Sequence, residues 1–219
     1  PGWVEHDAQE IWLAVLATLQ DVTRQINQTI TAIGITNQRE TIVAWNKQTG
    51  KPYGNAIVWQ DRRTADRCVE LAENLPLVRQ QTGLVLDPYF SGTKIEWLLN
   101  NREVRQDDDL CIGTIDSWLI WNLTGSKSFV TDCTNASRTM LFDISELCWS
   151  DQLTKMLGVQ PKFLGEVRAS SGDFGVTIQH GSVPAGISIS GVISETSTTW
   201  VASTKRPKPR PLNAQDLAR

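Results

Sequence analysis

The sequence has only two histidines, His6 and His180, and four cysteines, Cys68, Cys111, Cys133 and Cys148, none of them in a CxxC pair. That leaves no zinc-ligand spacing and no disulfide scaffold, and scattered cysteines suit a reducing compartment. No apolar run approaches the roughly 20 residues that a membrane span needs. The GxxxxGK[ST], GxGxxG and HxxxH patterns are missing, and the glycines are nowhere clustered as a phosphate cradle requires. With 40% hydrophobic and 21% charged residues in 219, disorder and collagen-like repeats are excluded, and a soluble chain of one large or two small domains is expected. Pro1 is not preceded by an initiator Met, a basic stretch or an apolar leader, so the chain is expected to be part of a longer protein.

The formal net charge of -3 hides an asymmetry. Residues 204–219 carry five basic side chains (Lys205, Arg206, Lys208, Arg210, Arg219) against one acid, Asp216. Removing them from the totals of 21 and 24 leaves 16 basic against 23 acidic, a charge of -7 for residues 1–203. An acidic body argues against nucleic acid as a partner, because binding it relies on neutralising phosphates. The basic end reads as a disordered tail. Asn122-Leu123-Thr124 and Asn135-Ala136-Ser137 fit the glycosylation pattern, but nothing else points to secretion, and both are read as chance.

Asp7, followed three residues later by Glu10, has the form of a helix start. Ile11, Val15, Leu19, Val22 and Ile26 then draw one apolar stripe at spacings of three and four. Short runs rich in β-branched residues at 30–36 and 41–45 predict strands, separated from a third at 56–59 by the turn at 46–52. Helices are predicted over 62–73, 94–99 and 117–121, and from a cap at Ser150 through Leu157 to a stop at Gly158. Strands and helices alternate, so the class is α/β with a mixed sheet and flanking helices. After about Gly175 the pattern degrades into Ser, Thr and Gly, and no element is assigned there.

Asn37-Gln38-Arg39-Glu40 is the first candidate site. It puts four long polar side chains between two strands, where hairpins usually carry Gly or Asp. Arg39 offers fixed donors and Glu40 an acceptor, a pair able to grip adjacent hydroxyls; a surface ion pair is the commoner local reading. Trp59-Gln60-Asp61-Arg62-Arg63 sets an aromatic face before charges, which suits a polyol whose carbons pack on the ring while its hydroxyls reach the charges. The alternative is a core Trp with Asp61 capping a helix. Tyr89 offers a hydroxyl, and Lys94 reads as cationic rim or scaffold. The polar patches at 114–118 and 131–138 are either site lining or a buried hydrogen-bond network.

Five segments carry a family resemblance: Pro1 to Asp7 (PGWVEHD), Ile33 to Thr41 (IGITNQRET), Asn55 to Gln60 (NAIVWQ), Thr82-Gly83-Leu84 with Asp87 to Ser91 (DPYFS), and Thr134 to Met140 (TNASRTM). In order and spacing they resemble the glycerol kinases of the FGGY carbohydrate kinase family over about residues 1–175. Tyr89 through Lys94 and Trp97 to Asn101 is also similar to that family's first signature. The resemblance implies a ribonuclease H-like, actin-type ATPase domain, incomplete at both ends, with a partial N-terminal kinase domain over 1–193 and a non-homologous basic tail over 194–219. It implies an ATP-dependent phosphotransferase with an alcohol acceptor, turning ATP and glycerol into sn-glycerol 3-phosphate and ADP, the first step of glycerol metabolism.

Within the site, the resemblance gives Arg39 and Glu40 the glycerol hydroxyls, Trp59 the carbon chain and Tyr89 a further hydroxyl. ATP with Mg is the implied co-substrate, with no residue of this chain assigned to either. The family's phosphate loop and second domain are expected before Pro1 and after Arg219, so the chain by itself is expected not to phosphorylate glycerol. Where the family has a Gly-Asp-Gln carrying the general base after an Ile-Ser-Gly strand, Ile189-Ser190-Gly191 is followed by Ser194-Glu195-Thr196. Glu195 therefore stands in for the catalytic Asp. Codons permitted for residues 193–197 allow Gly-Asp-Gln in a shifted frame, which makes a frameshift there an expectation. A cytoplasmic enzyme is implied, with some family members at the mitochondrial surface and many forming homo-oligomers. The alternatives are another sugar kinase of the family and a non-catalytic polyol-binding fragment.

Overall fold

Asp7 opens the first helix as its sequence pattern predicts. Its carboxylate accepts from the main-chain N–H groups of Gln9 and Glu10, meeting donors that a helix start leaves unpaired, and helix α1 runs Ala8–Gln25. Just before it, the short strand β1 (Glu5–His6) pairs antiparallel with β4 (Ala56–Ile57). The structure is a computed structural model; it describes residues 2–101, 103–195 and 200–203, with side chains through 194.

Two strands organise the rest. Strand β2 (Ala32–Gln38) lies between β10 (Ser188–Glu195), parallel to it, and β11 (Trp200–Ser203), antiparallel. Strand β3 (Ile42–Asn46) lies between β4 and β5 (Leu110–Thr114), antiparallel to both. Strand β3 is apolar from Ile42 to Trp45 because both of its faces are covered there. Val43 and Trp45 join α1 and helix α5 (Ile115–Leu123) in one core, while Ile42 and Ala44 pack with helix α4 (Ser91–Asn101) in another. Helices α2 (Ala65–Glu70) and α3 (Leu75–Thr82) precede α4 in the chain. After α5 the chain passes through β6 (Val130–Asp132), the one-turn helix α6 (Cys133–Ala136), the β7–β8 hairpin (Phe142–Asp143, Cys148–Trp149), α7 (Asp151–Met156) and β9 (Glu166–Arg168), which is parallel to β6. Ser150 caps α7, and Gly158 follows it with φ +64°, as expected of a helix stop.

The mixed α/β class stands, with two corrections in detail. Strand β2 continues two residues past its β-branched run, because Asn37 and Gln38 pair with Ser194 and Glu195 of β10. Main-chain pairing there outweighs the low strand preference of Asn. After Gly175 the residue pattern assigns no element, but Ile189-Ser190-Gly191, which the resemblance puts on a strand, lies in β10. Its buried Ile189 and Val192 are three apart because a bulge between Ile189 and Gly191 breaks the two-residue alternation. Among the described residues no helix is long and apolar enough to cross a membrane. Of the tail expected over 194–219, residues 194–195 lie in β10 and 200–203 in β11, while 196–199 and 204–219 lie outside the described residues.

Candidate functional site

Strands β2 and β3 diverge into different sheets, and the turn between them is Arg39-Glu40-Thr41. Glu40 takes φ +61°, the left-handed region that side-chain-bearing residues rarely occupy. That conformation turns its side chain inward, where it is 1% exposed. The expectation of a surface ion pair is therefore corrected: the carboxylate is buried. Its Oε1 accepts from Arg138 Nε at 2.8 Å, while Arg39 Nε stands at 3.7 Å. Burial raises the Glu40 pKa, opposed by the Arg138 hydrogen bond and charge and by the charges of Arg39 and Lys94. Arg39 Nε is itself buried with no hydrogen-bond partner among the described residues.

Lys94 ties this turn to the aromatic side of the site. Its ammonium is completely buried and donates to the main-chain oxygens of Glu40 (3.3 Å) and Tyr89 (2.8 Å). Ser91 Oγ also donates to the Glu40 oxygen, at 3.2 Å. Burial pushes the Lys94 pKa down to about 7, against the opposing charges of Glu40, Asp61 and Asp87. The Tyr89 ring leans on Trp59 with centroids 5.3 Å apart, and Trp59 Nε1 is another buried donor without a hydrogen-bond partner among the described residues. Arg39, Glu40, Trp59 and Tyr89, named from sequence, are thus brought together. Glu195 closes β10 with its backbone paired to Gln38, next to Arg39; its side chain lies outside the described residues.

The charges after Trp59 do not serve the site as expected. Asp61 is completely buried and accepts from Val4 N (2.6 Å), Arg63 N (2.9 Å) and the Arg63 guanidinium (2.9 and 2.7 Å). Burial alone would raise its pKa, but the Arg63 and Val4 hydrogen bonds and the Arg63 charge hold it below the usual carboxylate range. The Arg63 guanidinium is packed between the Trp3 and Trp97 rings, 3.9 and 4.4 Å from their centroids. These residues clamp the N-terminal segment onto β4.

The two polar patches left open from sequence form a buried network. Asp116 accepts from Thr114 Oγ1 and, at 2.7 Å, from Thr131 Oγ1; burial and then the neighbouring Asp132 charge push it up to about 7. Asp132 caps α6 through Thr134 N and Asn135 N and also accepts from the side chains of Thr134, Asn135 and Ser170. Asn135 is 1% exposed, which removes it as a glycan acceptor. No group of three His, Cys, Asp or Glu among the described residues is placed to hold a metal ion.

Two residues at the site, Lys94 and Arg138, are raised from sequence only as cationic rim or scaffold and as part of the 131–138 patch, with no role assigned to either. The signal for Lys94 lies just before it. Ser91, Gly92 and Thr93 are small and completely or largely buried, so the first turn of α4 approaches the β2–β3 turn closely enough for a lysine to reach two carbonyls. Arg138 acts from a loop 98 positions from Glu40, a separation that local pattern does not bridge.

The N-terminal-domain model of the FGGY family of carbohydrate kinases matches residues 1–201. The chain belongs to the FGGY family of carbohydrate kinases. The family match runs beyond the domain boundary expected at 193. A glycerol kinase of Bacillus cereus (strain AH187) is 51% identical over 204 residues, which is 89% of this chain and 41% of that protein. Plasmodium falciparum glycerol kinase, in its crystal structure with ADP, superposes with a TM-score of 0.83 at 38% identity, over 89% of this chain and 41% of that one. Gluconate kinase from Lactobacillus acidophilus, at TM-score 0.78 and 22% identity, shares the FGGY fold. The chain spans about 41% of the length of the glycerol kinases it matches.

Proposed function

We propose that the chain carries the glycerol-binding face of a glycerol kinase, which makes sn-glycerol 3-phosphate and ADP from glycerol and ATP. The observation that carries this reading is the pairing, on adjacent residues of one turn, of a buried carboxylate with a buried guanidinium N–H that has no hydrogen-bond partner among the described residues. A polyol with neighbouring hydroxyls suits such a pair, because one hydroxyl donates to Glu40 while another accepts from Arg39. The Trp59 and Tyr89 rings, side by side, offer an apolar surface for the carbon chain, with the Tyr89 hydroxyl as a further contact. The 51% identity to a glycerol kinase supports glycerol over larger sugars.

In this reading Arg39 and Glu40 fix two hydroxyls so that the third points away from the turn. Holding the acceptor in one orientation contributes directly to rate, since phosphoryl transfer depends mostly on positioning and charge neutralisation. Glu195, leaving β10 beside Gln38, is the proposed proton acceptor for that terminal hydroxyl. ATP is the family's co-substrate and Mg its expected companion. The described residues show no acidic cluster for the ion, and no step is assigned to it. We place the enzyme in the cytoplasm, without a nucleic-acid partner, and as a homo-oligomer when complete.

Isothermal titration of the purified chain tests the substrate. Glycerol binding that is lost in Arg39→Ala and Glu40→Gln is expected. Equal binding by the wild type and both variants would refute the assignment. Supplying ATP is expected to yield no glycerol 3-phosphate from this chain alone, and its formation would overturn that part.

A further inference from the structure

We propose that Arg138 is a positioning residue for Glu40, and that segment 132–138 is the bracket that holds it against the ligand-binding turn; this rests on the polyol reading above. Three independent connections converge on that segment. Arg138 Nε donates to Glu40 Oε1 at 2.8 Å. Asn37 Nδ2, at the end of β2, donates to Asn135 Oδ1 at 3.0 Å. Ser194 N, one residue before Glu195 in β10, donates to Thr134 Oγ1 at 2.8 Å. One short piece of chain therefore touches the turn that carries Arg39 and Glu40, the strand leading into it, and the strand end that carries Glu195.

The segment is built to stay in place. Asp132 is completely buried and receives the N–H groups of Thr134 and Asn135, the Thr134 and Ser170 hydroxyls and the Asn135 amide. Arg138 N donates to Asn135 O at 3.1 Å, and its guanidinium lies 4.9 Å from the centroid of Phe90, the neighbour of Tyr89. With its side chain 19% exposed, Arg138 is largely withdrawn from solvent.

Arg138 matters because of what surrounds Glu40. Three cationic groups face it: Arg39 from its own turn, Lys94 from α4, and Arg138. Of these, only Arg138 makes a hydrogen bond to the carboxylate among the described residues. Lys94 addresses the main-chain oxygen, and Arg39 stands at 3.7 Å. Without Arg138, a carboxyl that is 1% exposed keeps its desolvation and loses its main stabilising partner. It then takes up a proton nearer neutrality and presents a donor where a hydroxyl needs an acceptor. A filler of the same shape without charge would support the backbone but not hold the carboxylate ionised.

The test combines a ligand-free and a ligand-dependent readout on the whole chain. The Glu40 carboxyl carbon is followed by NMR through pH 4 to 9 in the wild type, Arg138→Gln and Arg138→Lys, and glycerol binding is titrated calorimetrically at pH 6 and pH 8. In Arg138→Gln we expect the Glu40 midpoint to rise by about 1 to 3 pH units, the range a lost adjacent charge produces. Glycerol affinity should fall about tenfold or more at pH 6 and recover at pH 8, since each pH unit is worth tenfold. Arg138→Lys is expected to restore the midpoint and only part of the affinity, because it lacks the planar fork. If Arg138→Gln does not fold, Arg138→Lys decides, and unchanged glycerol affinity in it overturns the proposal. An unmoved Glu40 midpoint with an unmoved pH profile in folded Arg138→Gln overturns it as well, leaving the polyol reading intact. A wild-type chain that binds no glycerol overturns the polyol reading and this proposal with it.

Discussion

Lys94→Met should change how stability depends on pH, and by an amount that follows from the structure. The lysine is completely buried, and burial pushes its pKa down from 10.5 to about 7. Between those values the unfolded chain binds a proton that the folded chain does not, so wild-type stability rises with pH across that window. Each pH unit is worth about 1.4 kcal/mol, so the interval of 3.5 amounts to about 5 kcal/mol. Below pH 7 both states are protonated and the whole penalty of the buried charge remains. Methionine has no such slope. It does withdraw a donor from the Tyr89 and Glu40 oxygens, of which the second keeps Ser91 Oγ, and an unpaired buried carbonyl costs about 1 to 3 kcal/mol at any pH. The difference between wild type and Lys94→Met, from urea unfolding at pH 6, 7, 8 and 9, is therefore expected to grow in favour of the wild type by about 1.4 kcal/mol per unit above pH 8. It should flatten below pH 7. A difference independent of pH from 6 to 9 would mean that burial does not depress the Lys94 pKa in the folded chain.

Asp116→Asn should behave with the opposite sign. The folded pKa of Asp116 is raised from 3.8 to about 7, so its stabilising share is complete below pH 3.8 and is lost as pH rises towards 7. Thermal melts at pH 4.5 and pH 7 are expected to show the variant gaining on the wild type at the higher pH; no relative gain would contradict the burial of a charge there. Gly92→Ala puts a Cβ at 2.7 Å from Leu157 Cδ1 and 2.9 Å from Thr139 O, so it should lose about 1 to 3 kcal/mol in a denaturant titration. An unchanged midpoint would mean that α4 does not press on the loop carrying Arg138. All four cysteines are free; Cys148 is exposed and the other three are buried. Thiol labelling of the folded chain should modify Cys148 alone, and rapid labelling of Cys68, Cys111 or Cys133 would contradict the packing.

Much of the scaffold was legible because local chemistry and tertiary structure agree. Asp7 caps α1, the stripe through Ile11, Val15 and Leu19 turns to the core, and Ser150 and Gly158 bound α7. Strand β10 was legible only through the resemblance at Ile189-Ser190-Gly191, since its bulge shifts the buried positions out of alternation and its polar residues resemble a linker. At the site, the two aromatics and the Arg39-Glu40 pair were visible as residue types in an unusual place. What sequence did not show is that Glu40 points inward, because that depends on a left-handed backbone at a non-glycine residue. Asp61 and Arg63 misled for a related reason. Charges beside an aromatic suggest a sugar site, yet here they satisfy one another and Val4 beneath the Trp3 and Trp97 rings. Arg138 and Asn135 reach Glu40 and Asn37 across 98 positions, and only the fold brings them together.

The central claim is that the turn at Arg39 and Glu40 grips a polyol. Calorimetric titration of the chain with glycerol, beside Arg39→Ala, decides it: saturable one-site binding by the wild type is expected, and Arg39→Ala should abolish it. Identical heats from the two proteins, or no binding by the wild type, would contradict it.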